Sequence, residues 1–224
     1  MRQMVLHRHS AKSPNPVPLV TLIIVNSHSP NLQGMIEMLQ LLIGIVLFFG
    51  MHSASIVALP LRDRIVAKSE NAWKGVYAIA SLVGIVLMVR GYADLRQAPT
   101  YLYVSPAWLR HVAALLMLPV FAFFIAPYFP GRIKNALKHP QLVAVKLWAF
   151  AHLLVNGTIG DVLLFGSFLL WAVVDRVSLK KRPARPLPGT ESKANDVIVV
   201  VVGLALYLVF VFFLHEMLIG VRPA

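Results

Sequence analysis

The chain reads as an all-α, polytopic membrane bundle of about six transmembrane helices with both termini outside. Three observations predict this class. Hydrophobic residues make up 58% of the 224 and charged residues only 13%, where a soluble domain has about 45–50% and about 25%. The apolar residues gather into runs of about 20, the length that crosses a bilayer. The Lys and Arg between those runs alternate in number from one loop to the next, as topology requires. A mean hydropathy of +0.73 excludes a soluble enzyme, and the spans leave no room for a separate soluble domain.

Residues 1–34 stand apart. Ser13-Pro14-Asn15-Pro16-Val17-Pro18 breaks any helix. Leu19–Val25 is apolar for only seven residues, too short to span, although it resembles the h-region of a signal peptide. This head reads as a disordered or over-long N-terminal extension, with the transmembrane domain at residues 35–224. The first span is Met38–Leu59, inside a charge-free window from Glu37 to Arg62. The second is Trp73–Tyr92. The third is Arg110–Tyr128, where Pro119 and Pro127 are expected to kink or end the helix. Pro140–Val177 is too long for one crossing. Asn156-Gly157 suits a helix C-terminus and Asp161 a following N-terminus. The stretch therefore divides into Pro140–Asn156 and Ile159–Val177, a tight hairpin. Arg182–Lys193, with Pro183, Pro186, Pro188 and Gly189, is a flexible linker before the sixth span, Val197–Leu218. The segments lack the alternation of barrel strands.

The loops after the first, third and fifth spans carry 14 of the 21 Lys and Arg, among them Arg64, Lys138 and Lys181, against seven on the other side. Those loops are therefore expected in the cytoplasm. The net charge of +12 then reflects topology; the bilayer is the expected partner and no nucleic acid is. The absence of Cys excludes disulfides, thiolate metal sites, iron–sulfur clusters and Cys nucleophiles. There is no Gly-rich phosphate loop, no Ser–His–Asp spacing and no carboxylate pair suited to hydrolysis.

An ionisable group inside a span is costly and marks a candidate site. The candidates are His52, Lys146, His152, Asp161, His215 and Glu216, with His111 and His139 near span ends. At about 1.5 Å per residue, His52 lies about 12 Å from the inner end of its helix at Pro60. If Lys146 reaches the inner interface, His152 lies about 9 Å from it on the same rise. Two imidazoles from the first and fourth helices thus reach comparable depth, the arrangement for bis-histidine ligation of a haem between apolar walls. The alternative is two histidines bonding carbonyls or Ser53 across helices. His111, His215 and Glu216 read as solvated interfacial groups, with a metal or proton site as the alternative. Trp148, His152 and Asn156 share one helix stripe, Trp148 for packing and Asn156 for capping. Asp161 suits a first helical turn, and Asp175 is expected to pair with adjacent Arg176.

Several motifs resemble the NnrU family. They are Pro130-Gly131-Arg132-Ile133-Lys134, Lys138-His139-Pro140, Lys146-Leu147-Trp148-Ala149 and Ala151-His152-Leu153-Leu154-Val155-Asn156-Gly157. Met51-His52-Ser53, Asn71-Ala72-Trp73-Lys74-Gly75-Val76-Tyr77 and Asp175-Arg176 are similar too, and the likeness runs from about Met35 to the end. The resemblance implies a multi-pass protein of the bacterial inner membrane, linked to denitrification and nitric oxide metabolism, with nitric oxide reductase components as partners. A more distant likeness is to 15-cis-zeta-carotene isomerases, membrane enzymes with a b-type haem and an apolar polyene substrate. Their ligand histidines correspond to His52 and His152, with His139-Pro140-Gln141 between them. The implied cofactor is haem b, held by His52 and His152 as iron ligands, with Ser53, Trp148 and Asn156 expected to orient or pack the rings. Three functions compete on this footing: a haem protein of nitric oxide metabolism, a haem-dependent cis–trans isomerase of a polyene lipid, and a cofactor-free structural or assembly subunit.

Overall fold

The computed structural model describes residues 30–182 and 190–223. It is 81% helical with no strand among the described residues, which makes the class all-α. The head up to residue 29 and the linker at 183–189 lie outside the described residues. α1 (Pro30–Val57) leads through α2 (Leu59–Lys68) into α3 (Glu70–Leu95). α1 already runs from Pro30, five residues before Met35. Among the described residues, four helical stretches are long and apolar enough to cross a membrane: Leu32–Val57, Glu70–Leu95, Leu109–Tyr128 and Lys193–Ile219. Many of their large apolar side chains, such as Val46, Ile79, Val200 and Phe212, are exposed, as lipid-facing surface is in a bundle of this kind.

α1 and α3 run antiparallel along a glycine seam. A Cβ on Gly44 would stand 2.6 Å from the backbone nitrogen of Met88, and one on Gly91 would stand 2.5 Å from that of Leu41. Only hydrogen fits at these positions, and it lets the two backbones touch, as small residues do in membrane bundles.

The third span breaks where its prolines fall. α4 (Leu109–Met117) ends just before Pro119, α5 (Val120–Ile125) follows, and Ala126–Tyr128 is a 3₁₀ turn containing Pro127. Pro130-Gly131 then opens the short α6 (Arg132–Leu137). Its N-terminus is capped from another helix: the Asp196 carboxylate accepts Arg132 N–H and Ile133 N–H at 3.0 Å each. A Cβ on Gly131 would lie 2.5 Å from Asp196 Oδ1, so this glycine is what admits the cap. Asp196 belongs to α9 (Lys193–Val209), which packs on α5 around Ala122, Ala126 and Val199. A π-helical turn, Phe210–Leu214, joins α9 to α10 (His215–Ile219).

The hairpin is α7 (Pro140–Val155) and α8 (Ile159–Ser178). Thr158 Oγ1 accepts Asp161 N–H at 3.2 Å, and the Asp161 carboxylate accepts Thr158 N–H at 2.9 Å, a reciprocal capping box. The loop after α3 clasps the turn, with Leu102 N–H donating to Gly157 at 2.7 Å and Ile159 N–H to Thr100 at 2.9 Å. Tyr103 hydroxyl donates to the carbonyls of Leu153 and Asn156, which the end of α7 leaves without helical partners. α7 is apolar but only 16 residues long, and α8 carries Asp161, Asp175 and Arg176.

Candidate functional site

α8 packs against both α1 and α7, and beside it lies a cavity of about 1200 Å³. Ligand cavities usually measure about 300–1,000 Å³, so this one is large. Gln141, Val145, Trp148, His152 and Val155 line it from α7, three or four residues apart, as one helix face must be. Asp161, Phe165, Phe168, Trp171 and Asp175 repeat that spacing on α8. The cavity therefore follows both helices for nearly their whole length. Phe48 and His52 face it from α1, and Met88 and Tyr92 from α3.

Both sequence-predicted histidines line this cavity. His52 Nδ1 lies 2.8 Å from the Phe48 carbonyl, and His152 Nδ1 lies 2.8 Å from the Trp148 carbonyl. A carbonyl only accepts, so each Nδ1 carries the proton and donates it one turn back along its own helix. In the neutral ring Nε2 is then the unprotonated nitrogen, the form that ligates metals. Each imidazole is also stacked: His52 on Phe48 at 4.0 Å between ring centres, and His152 on Phe165 at 4.5 Å. The partner of His52 is the backbone of Phe48, and Ser53 follows on the same helix. Trp148 holds His152 through its carbonyl and places its indole 5.3 Å from the imidazole. Asn156 is the C-cap of α7.

The two rings do not share one depth. His52 contacts Trp171 (5.7 Å) and His152 contacts Phe165, six residues away on α8, or about 9 Å along the axis. Equal depths followed from setting Lys146 at the inner interface. In the structure Lys146 is six residues inside α7, which carries His152 toward the C-terminal end of that helix. Phe168 bridges the gap, touching Phe48 at 5.7 Å and Trp148 at 5.1 Å.

Among the described residues no three His, Asp or Glu side chains converge to hold a bare metal ion. A metal at these two imidazoles would have to bring its other ligands, as a macrocycle does. Two Nε2 lone pairs on one apolar, aromatic cavity suit such a group in their chemistry, and their offset in depth means that the rings must draw together for both to reach one metal.

Other expected placements changed. Asp175 pairs with Arg182, and not with Arg176, because Arg182 lies where the chain leaves α8 and reaches back. His215 is half-buried and lines the cavity, donating Nδ1–H to Val221 at 2.7 Å. The π turn before it adds a residue to the helix and turns it off the register that sequence spacing assumes. Glu216 binds Arg222 at 2.6 Å, and His111 is exposed. Tyr92 was not anticipated. Its hydroxyl donates to Asp161 at 2.6 Å, tying α3 to the start of α8 on the cavity wall. The aromatic stripe of α8 was visible in the sequence as spacings of three and four.

Neither a curated protein nor a solved structure matches the chain. The family model described as NnrU protein matches residues 40–223, which takes in all four membrane-length helices from Gln40 onward and both histidines. The chain belongs to the NnrU family.

Proposed function

We propose that this protein holds a haem b in the cavity between α1, α7 and α8, where His52 and His152 would supply the nitrogens that hold its iron once the two rings are drawn to one depth, and that it serves nitric oxide metabolism in the bacterial inner membrane. The observation that carries the haem reading is the tautomer: both Nδ1 protons are committed to carbonyls at 2.8 Å, which leaves two Nε2 lone pairs on one apolar cavity. A bound haem supplies one-electron chemistry at its iron, tuned by axial ligands and by burial. The chain's own contribution is to aim the rings, to pack the macrocycle between Phe48, Trp148, Phe165 and Phe168, and to keep water out. The link to nitric oxide and to reductase components rests on the family resemblance of the motifs around His52 and His152. If both histidines held the iron, electron transfer would be favoured, because binding nitric oxide needs an open iron position.

Protein purified from haem-replete cells should show a Soret band. His52→Ala or His152→Ala should abolish or shift it, and Ser53→Ala should leave it unchanged. No Soret absorbance, or two alanine variants with the parent spectrum, overturns the reading and leaves a structural subunit whose histidines bond their own helices. The length of the cavity along α7 and α8 favours a second reading, an isomerase acting on an elongated polyene that enters from lipid. Conversion of a cis polyene by the haem-loaded protein would select it. The six-span topology belongs to the same proposal: reporter fusions should place Arg64, Lys138 and Lys181 in the cytoplasm, and Arg96 and Val221 outside.

A further inference from the structure

The two ends of the cavity differ in the state of their cations. At the end near the α7–α8 turn, Arg96 is occupied: its guanidinium lies over the Tyr92 ring at 5.7 Å and donates to the Ile219 carbonyl at 3.3 Å. The same end carries the buried Asp161. At the opposite end the walls are Lys134, Lys138 and His139. Among the described residues neither lysine has a carboxylate partner. The acid that lines this mouth, Asp175, is taken by Arg182.

Two further features mark this mouth. Lys138 is the one non-glycine residue with positive φ among those described (φ 60°), a backbone outlier of the kind that surrounding structure must hold in place. His139 is kept below the ordinary imidazole range by partial burial and by Arg176, Arg182 and Lys138, against the opposing Asp175. Partial burial and the neighbouring cations together disfavour a protonated imidazole there. Between the two ends the cavity is aromatic.

We propose that Lys134 and Lys138 bind the carboxylates of the amphipathic ligand whose apolar body fills the cavity, which for a haem means its two propionates. The inference rests on the haem reading but concerns a different part of the ligand. Phe168, which lies between the surroundings of the two histidines, is seven residues from Asp175 on α8, about 10 Å on the helical rise. A propionate and an extended lysine together can cover that distance. Ammonium–carboxylate hydrogen bonds are among the stronger ones, and in a mouth walled by apolar helices they are screened less than at an open surface.

The test separates carboxylate from iron. Binding of haem, haem dimethyl ester, metal-free protoporphyrin and its dimethyl ester to the purified full chain would be measured by absorbance and tryptophan quenching. The variants are Lys134→Gln with Lys138→Gln, Lys134→Arg with Lys138→Arg, and Arg96→Gln. The parent should bind each diacid about tenfold or more tightly than its ester. The double glutamine variant should lose that preference without losing ester affinity. The double arginine variant and Arg96→Gln should keep it. Equal affinity of the parent for diacid and ester, a preference that survives in the double glutamine variant, or its loss in Arg96→Gln overturns the proposal. If haem gives no histidine-ligated spectrum but metal-free protoporphyrin shows the lysine-dependent preference, the axial-ligand reading fails and the lysine mouth stands.

Discussion

Replacing Gly91 by alanine should push α1 and α3 apart. The added Cβ would sit 2.5 Å from the Leu41 nitrogen, 2.8 Å from the Glu37 carbonyl oxygen and 3.0 Å from Leu41 Cα. Side-chain carbons do not approach heavy atoms closer than 3.0 Å, so the helices must separate by at least about 0.5 Å. All three obstructing atoms are backbone, and no rotamer change relieves them. Overpacking of this kind costs about 1–3 kcal/mol. For a chain of this size each kcal/mol moves the unfolding temperature by about 2–4 °C, so a loss of about 2–12 °C is expected. Gly50 lies on the exposed face of α1, where an added Cβ would meet nothing within 4 Å, and alanine there gains helix propensity of about 0.8–1 kcal/mol. Scanning fluorimetry of the two variants in one detergent is the assay. Gly91→Ala should be less stable than the parent and Gly50→Ala at least as stable. Shifts of the same sign and size would refute the seam.

Three more outcomes are expected. Tyr92→Phe removes a 2.6 Å hydrogen bond to a carboxylate that is only 5% exposed, which should cost about 1.5–3 kcal/mol; a variant with the parent's unfolding temperature would show the bond to be idle. Arg182→Met strands Asp175, whose side chain is 14% exposed, at about 3–5 kcal/mol. Adding Asp175→Asn should recover much of that loss in a double-mutant cycle, and two additive losses would contradict the pairing. His139 has its folded pKa lowered from 6.5. Above pH 6.5 both folded and unfolded states hold it neutral, and below it the unfolded state takes the proton first, so stability falls on acidification. His139→Gln should flatten the fall in unfolding temperature below pH 6.5, and an unchanged slope would count against it.

What could be read from the sequence was local. The breaks at Pro119 and Pro127, the turn at Asn156-Gly157 and the first-turn role of Asp161 each depend on residues within one turn of one another, and all four hold. His52 and His152 were legible as polar groups in apolar runs, and the structure does bring both to one cavity. Their relative depth was not, because it depends on where α7 begins relative to Lys146. The bond from Tyr92 to Asp161 joins residues 69 apart, and the cap from Asp196 to α6 joins residues 63 and 64 apart. Such pairings are set by which helices meet. The glycine seam escaped for the same reason: Gly44, Gly84 and Gly91 are unremarkable on their own helices and acquire meaning only when α1 lies against α3.

The one-turn bonds of His52 and His152 also bear on the order of assembly. Each imidazole is aimed by a carbonyl four residues earlier on its own helix, so its direction is set when that helix forms, within about a microsecond. Helix docking in the bilayer comes later. Two half-sites can therefore exist before the bundle does, each presenting a bare nitrogen. A planar ligand captured by one of them would recruit the other and help choose which helices come together. Loading during membrane insertion would then raise the yield of folded protein, and starving cells of porphyrin would lower it even where the finished apoprotein is stable.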